Sequence, residues 1–123
     1  MANPNIVNVS AIYGNTTYLT PANTTANVLL ANSAASGTVL KVNQIVASNT
    51  TSSAATTTVS VNTAAAGSGT SYPIAGAISV PANASLIVVD KTTQLYLLED
   101  KSILVTSGTS SAITYTISYE TIS

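Results

Sequence analysis

Three carboxylates, Asp90, Glu99 and Asp100, are the acidic groups of this 123-residue chain that cluster in sequence. A carboxylate pair can do acid–base chemistry when its members lie roughly 5–10 Å apart. The spacing works against it here. The run Gln94-Leu95-Tyr96-Leu97-Leu98 reads as a strand. At ~3.3 Å per residue, a strand over 92–98 holds Asp90 about 20 Å from Glu99 and Asp100. The three therefore read as solvated turn residues, loosely paired with Lys91 and Lys101. The alternative is a calcium site on Glu99 and Asp100, since oxygen ligands in a loop suit that ion. The loop lacks the repeated aspartates of an EF-hand, and the expectation is no metal and no other cofactor.

Other chemistry is closed off by composition. The chain has no cysteine and no histidine. Disulfides, thiolate metal sites, thiol nucleophiles and Ser-His-Asp triads are all impossible. Its three cations, Lys41, Lys91 and Lys101, make no basic patch, so no nucleic-acid partner is expected. Gly67-Ser68-Gly69 lacks the third glycine, the Lys-Thr pair and the following helix of a phosphate loop. Asn8, Asn15, Asn23, Asn49 and Asn83 each open an Asn-x-Ser/Thr triplet, as chance allows in a chain so rich in Asn, Ser and Thr. The reading is a non-enzymatic protein.

Charged residues are 6% of the chain, against about 25% in an average domain. Six of the seven lie beyond Ile78, and all but Glu120 of those six sit where apolar runs break. With a mean hydropathy of +0.39, this composition suits a subunit whose surface neighbours cover. Apolar runs of about six residues are far short of the ~20 a membrane-spanning helix needs. The opening Met1-Ala2-Asn3-Pro4-Asn5 lacks the pattern of a signal peptide, which predicts synthesis in the cytoplasm without export.

The elements read as strands throughout. From Ala84 to Ile122, β-branched runs alternate with turn residues: Ala84–Val89, then Gln94–Leu98, Ser102–Val105 and Ala112–Ile122. In the last, Ile113, Tyr115, Ile117 and Tyr119 share one face, the core face. Earlier, Ile6–Tyr13 alternates and is expected to end at Gly14-Asn15, with Thr16–Leu19 a short second strand. Thr25–Ala31, Thr38–Ser48 and Thr56–Asn62 follow. In Thr38–Ser48 unbroken alternation puts Leu40, Val42, Gln44 and Val46 on one face, with Val39, Lys41, Asn43 and Ile45 on the other. Apolar residues on both faces predict a central strand. Residues 63–71 read as a surface loop, with Ala64-Ala65-Ala66 a possible helical turn. Tyr72–Val80 reads as a strand kinked or bulged near Gly76.

About eight or nine short strands in a chain of one-domain length predict an all-β, single-domain antiparallel sandwich over 1–123. A jelly-roll-like sandwich is the first choice and an Ig-like one the alternative. Few strands carry Lys or Pro, so the sheet edges are expected to lie unprotected against pairing. Candidate interface residues are Tyr18 and Tyr72, which lie near turns, and a short extended N-terminal arm of Ala2, Asn3, Pro4 and Asn5 within 1–5. Pro4 pre-sets an extended backbone there, fit to add to a neighbour's sheet edge.

The stretches Ile78-Ser79-Val80-Pro81-Ala82-Asn83, Asp90-Lys91, Leu95 to Ile103 and Ser118 to Ser123, with the opening Met1 to Val9, resemble small virion structural proteins of tailed phages. Those of cyanobacterial and marine phages are the most similar. Members often carry a Gly-Asp pair where this chain has Glu99-Asp100-Lys101, a departure that concerns the turn. The resemblance implies a β-sandwich capsid decoration (cement) protein on the outer surface of the head, bridging subunits of the major capsid protein and associating with copies of itself, as a homotrimer. A tail, collar or fibre component is the alternative, as is a carbohydrate-binding module for host attachment.

Overall fold

The strongest constraint on the architecture is the count of β-branched residues in runs too short for anything but strands. The structure, a computed structural model that describes residues 7–123, has nine of them among those residues: β1 Ile12–Leu19, β2 Asn27–Asn32, β3 Val39–Asn49, β4 Ala55–Asn62, β5 Ser71–Val80, β6 Ser85–Val89, β7 Leu95–Leu97, β8 Lys101–Ser107 and β9 Ile113–Ile122. None of the described residues is helical. Residues 64–67 form a single turn, closed by Gly67 N–H donating to the Ala64 carbonyl (3.0 Å).

All pairings are antiparallel. One sheet has the order β1-β9-β3-β6, with β7 also on β3; the other is β2-β8-β4-β5. β6 and β7 lie end to end along one edge of β3: Val89 faces Ile45 and Leu95 faces Val42. They act as one strand broken in the middle. Counted that way, eight strands wind through two four-stranded sheets with the first and last side by side, the double Greek key of a jelly roll. An Ig-like sandwich does not pair its first and last strands antiparallel, as β1 and β9 pair here.

The core is the apolar layer between the sheets. Val42, Ile45, Ile113, Tyr115 and Ile117 from one sheet meet Val59, Val80, Ile103 and Val105 from the other. Tyr115 is fully buried. Its hydroxyl donates to the Thr106 carbonyl (2.9 Å) and accepts from Thr57 across the core. Desolvation pushes this phenol above its ordinary pKa, partly offset by the Thr57 hydroxyl. A buried hydroxyl without such partners would cost about 1–3 kcal/mol.

Three asparagines close the strand ends. Asn32, Asn49 and Asn62 are the last residues of β2, β3 and β4, and all are buried. Asn49 Nδ2 donates to the Ser53 carbonyl (2.8 Å) and, across to the other sheet, to the Val80 carbonyl (3.0 Å); its Oδ1 accepts from the N–H and hydroxyl of Thr51 (2.9 and 2.7 Å). Asn32 does the same at the far end of β3, with Nδ2 donating to the Thr38 and Leu97 carbonyls and Oδ1 accepting from Ser36 and Thr38. Asn62 donates to the Gly69 carbonyl and the Ser71 hydroxyl and accepts from the Ala64 and Gly69 N–H groups. Each uses its full capacity of about four bonds, so burial leaves no polar atom of the amide unmatched. The loop over 63–70 is thus folded around Asn62. Gly69 is glycine because a Cβ there would run into the Thr63 hydroxyl.

Two readings of the strands need correction. The first strand starts at Ile12 and runs through Gly14-Asn15 to Leu19, while 7–11 is turn and bend. Alternation alone could not locate it, because β9 supplies ladder partners only from Ile122 back to Tyr115. In β3 the register against β9 shifts between Val42 and Gln44. Asn43 is the extra residue, and the face switches there. Leu40, Val42, Ile45 and Ala47 all point into the core, and Gln44 and Val46 point out. The predicted kink in β5 is present as two register shifts, but the left-handed backbone falls on Ala77 (φ 49°), not Gly76.

Candidate functional site

The break between β6 and β7 makes a concave feature that gathers polar side chains. Residues 90–94 pass over only Asn43 and Gln44 of β3, so the chain lifts off the sheet. Asp90 shapes this excursion. Its Oδ1 accepts from the Thr92 N–H (2.8 Å) and hydroxyl (2.6 Å), while its own N–H donates to the Thr93 hydroxyl (3.1 Å). This is an Asx turn, the local use of an acidic side chain that competes with strand pairing.

Beneath it lies an open groove of about 550 Å³ lined by Asn43, Gln44, Asp90, Lys91, Thr92 and Ser118. The β3 bulge tilts Asn43 toward β9, where its Nδ2 donates to Glu120 Oε1 (2.9 Å). Lys41 lies directly opposite both Glu120 and Tyr96 in the ladders. Two cations and two anions thus share this region of the sheet, and the field is nearly balanced.

The groove offers amide, hydroxyl, ammonium and carboxylate groups for hydrogen bonding. It offers no poised acid. The hydroxyl and N–H of Thr92 hold the Asp90 carboxyl below its ordinary range, so it stays ionised and gives up no proton near neutral pH.

Glu99 and Asp100 form the β7–β8 turn, at the opposite end of β7 from Asp90. Asp100 has a left-handed backbone (φ 56°), and its Oδ1 accepts from the Ala65 N–H (3.2 Å). Ser102 Oγ donates to the Ala64 carbonyl beside it (2.7 Å). The acidic turn is engaged in fastening the 63–70 loop. Among the described residues no three His, Cys, Asp or Glu side chains gather to hold a metal ion, and no helix is long and apolar enough to cross a membrane.

Tyr18 and Tyr72 are not brought together. Tyr18 is on β1, the edge strand of one sheet, and Tyr72 is on β5, the opposite edge of the other. Both are well exposed. Ala2, Asn3, Pro4 and Asn5 lie outside the described residues. The edges are also better defended than composition implied, since Pro73 falls within edge strand β5. Sequence reasoning missed Asn43, Gln44 and Ser118 as groove residues. The adjacent polar pair Asn43-Gln44 in the middle of β3, between Val42 and Ile45, was the available signal, because a bulge is what lets both sit at a surface.

No family model matches the chain, and no curated protein is detectably similar to it.

Proposed function

We propose that this chain is a non-enzymatic structural subunit of a tailed-phage virion, a capsid decoration protein that bridges neighbouring subunits of the major capsid protein on the outside of the head. The observation that carries the reading is the use of the surface. Charged side chains are spent on turns and one balanced groove, while strand edges present uncovered apolar groups: Ile12 and Tyr18 on β1, Tyr72, Ile74 and Ile78 on β5, Ile87 on β6. Exposed apolar side chains of this kind are a liability in a lone soluble domain and an asset in a subunit that other chains cover. The jelly roll is a fold of viral shells, though it also serves lectins and enzymes, so the fold adds only analogy. The resemblance of the terminal stretches supplies the rest.

The test is binding of the purified chain to heads that lack it, followed by cryo-EM. Saturable binding at a fixed site on the head lattice, with heads that disrupt at a higher temperature, is expected. Density confined to tail, collar or fibre would move the protein there. The groove favours one second reading, a saccharide site for host attachment, since amides and hydroxyls are the groups that read sugar hydroxyls. Specific, saturable binding on a glycan array, lost in Gln44→Ala, would support that reading over the first.

A further inference from the structure

Four edges bound the two sheets among the described residues: β1 and the β6–β7 line on one, β2 and β5 on the other. Three of the four are interrupted. β5 has two register shifts and Pro73. The β6–β7 line is broken by 90–94 and shifted again opposite Ile45 and Val46. β2 shifts between Val28 and Leu30. Bulges, breaks and prolines are the means by which an edge is kept from pairing. β1 has none of them. It pairs residue for residue with β9 from Ile12 to Leu19, without a shift, a proline or a charge. Its first five residues are exposed on both faces, so the strand overhangs the sandwich.

We propose that β1 is the edge by which two copies of this chain join, antiparallel, into one continuous sheet. The partner is a second copy because β1 complements itself. Ile-Tyr-Gly-Asn-Thr-Thr-Tyr-Leu reads as apolar and aromatic at both ends and small and polar between, in either direction. No like charges meet, because none is present.

The register follows from face. A two-fold axis through the sheet keeps its faces, so opposed residues must point the same way. Ile12, Gly14, Thr16 and Tyr18 share the outer face, where Thr16 hydrogen-bonds to Ser118 (3.2 Å); Thr17, opposite core residue Ile117, lies on the other with Tyr13 and Asn15. The axis must therefore pass through a residue, not between two. Centred on Asn15, the ladder sets Ile12 against Tyr18 of the second copy at both ends. These side chains are 53% and 75% exposed in the single chain, and an aromatic opposite a β-branched residue is a favourable cross-strand pair. Centred on Thr16, it would leave Ile12 beyond the ladder and set Tyr13 against Leu19, which packs on the core. The Asn15 register is the one that covers both exposed groups. It closes at two copies, so it replaces the trimer expected from resemblance with a dimer.

The experiment is the solution mass of the full chain by light scattering, with engineered thiols to report register. The wild type should have twice the 12.4 kDa chain mass, and Ile12→Lys/Tyr18→Lys should be monomeric. Ile87→Lys, on the opposite edge, should stay dimeric. Circular dichroism should show all three folded. The chain has no cysteine, so Asn15→Cys should oxidise to a covalent dimer and Tyr18→Cys should not. A monomeric wild type, a threefold mass, a dimer indifferent to the β1 lysines, or equal cross-linking of both thiol variants would overturn the proposal. A chain that is monomeric yet binds heads would sink the pairing and leave the virion reading standing.

Discussion

Asn23-Thr24-Thr25 and Asn49-Thr50-Thr51 are the same three residues folded the same way, and they do different work. In both, the asparagine Oδ1 accepts from the N–H and the hydroxyl of the threonine two residues on. Asn23 is exposed, and this Asx turn shapes a surface loop ahead of β2. Asn49 is 1% exposed, and its Nδ2 reaches carbonyls of a loop and of the opposite sheet. Two hydrogen bonds that compete with water in one place hold the sandwich end together in the other. The motif sets the turn; burial sets what the turn is worth.

Changing the amide to a carboxylate separates the two most sharply. In Asn49→Asp, the atom that donated to Ser53 and Val80 becomes a charged acceptor facing two carbonyls. The expected loss is roughly 3–5 kcal/mol, the range for an uncompensated buried charge, read as a large drop in urea midpoint at neutral pH. Asn23→Asp keeps the accepting oxygen and should stay within about 0.5 kcal/mol of wild type. Equal losses at both sites would mean that the turn, and not its burial, carries the energy.

Gly69→Ala tests the neighbouring clasp around Asn62. An added Cβ must displace Thr63 and with it the loop that gives Asn62 its N–H and carbonyl partners. Overpacking of this kind costs roughly 1–3 kcal/mol. Chemical denaturation measures it, and Gly76→Ala, where nothing lies near the added carbon, is the matched control with a smaller effect.

How much of this could be read beforehand divides along the same line. Alternation located eight of the nine strands to within a few residues, because a half-buried strand writes its period into the sequence. It misplaced β1 and the outer face of β3, since a partner's end and a bulge at Asn43 are tertiary facts with no local period. The Asn-x-Thr triplets looked accidental in so polar a chain. At Asn23 and Asn49 they are turns, and no property of the triplet itself distinguishes the buried one. Beyond the Asn43-Gln44 pair the groove had no local signal, for the same reason: Gln44 and Ser118 meet only because β3 pairs with β9.

Removing the exposed asparagine altogether should do little. Asn23→Ala gives up two solvent-facing bonds donated by Thr25 and one donated by Asn27. A loss of about 0.5 kcal/mol or less is expected, against roughly 1–3 kcal/mol for Asn49→Ala, which strands buried carbonyls. Parallel denaturant titrations of the two alanine variants decide it.

The smallest expected effect belongs to the third copy of the motif, Asp90-Lys91-Thr92, where an aspartate takes the asparagine's place. Its carboxylate is held below its ordinary pKa chiefly by the Thr92 hydroxyl and N–H. A depressed folded-state pKa means that the unfolded chain takes up the proton first as pH falls. The contribution of Asp90 is therefore present above the ordinary carboxylate range and fades as pH drops through the lower folded value. Full exposure keeps it slight. Asp90→Asn retains the accepting oxygen and has nothing to titrate, so the expected result is a wild-type stability curve that dips slightly in acid relative to the variant and coincides with it near neutrality. Thermal unfolding of the pair from neutral pH into acid measures this. A wild type that gains on the variant in acid would mean that the turn does not hold the ionised form, and Asp90 would no longer belong beside Asn23 and Asn49.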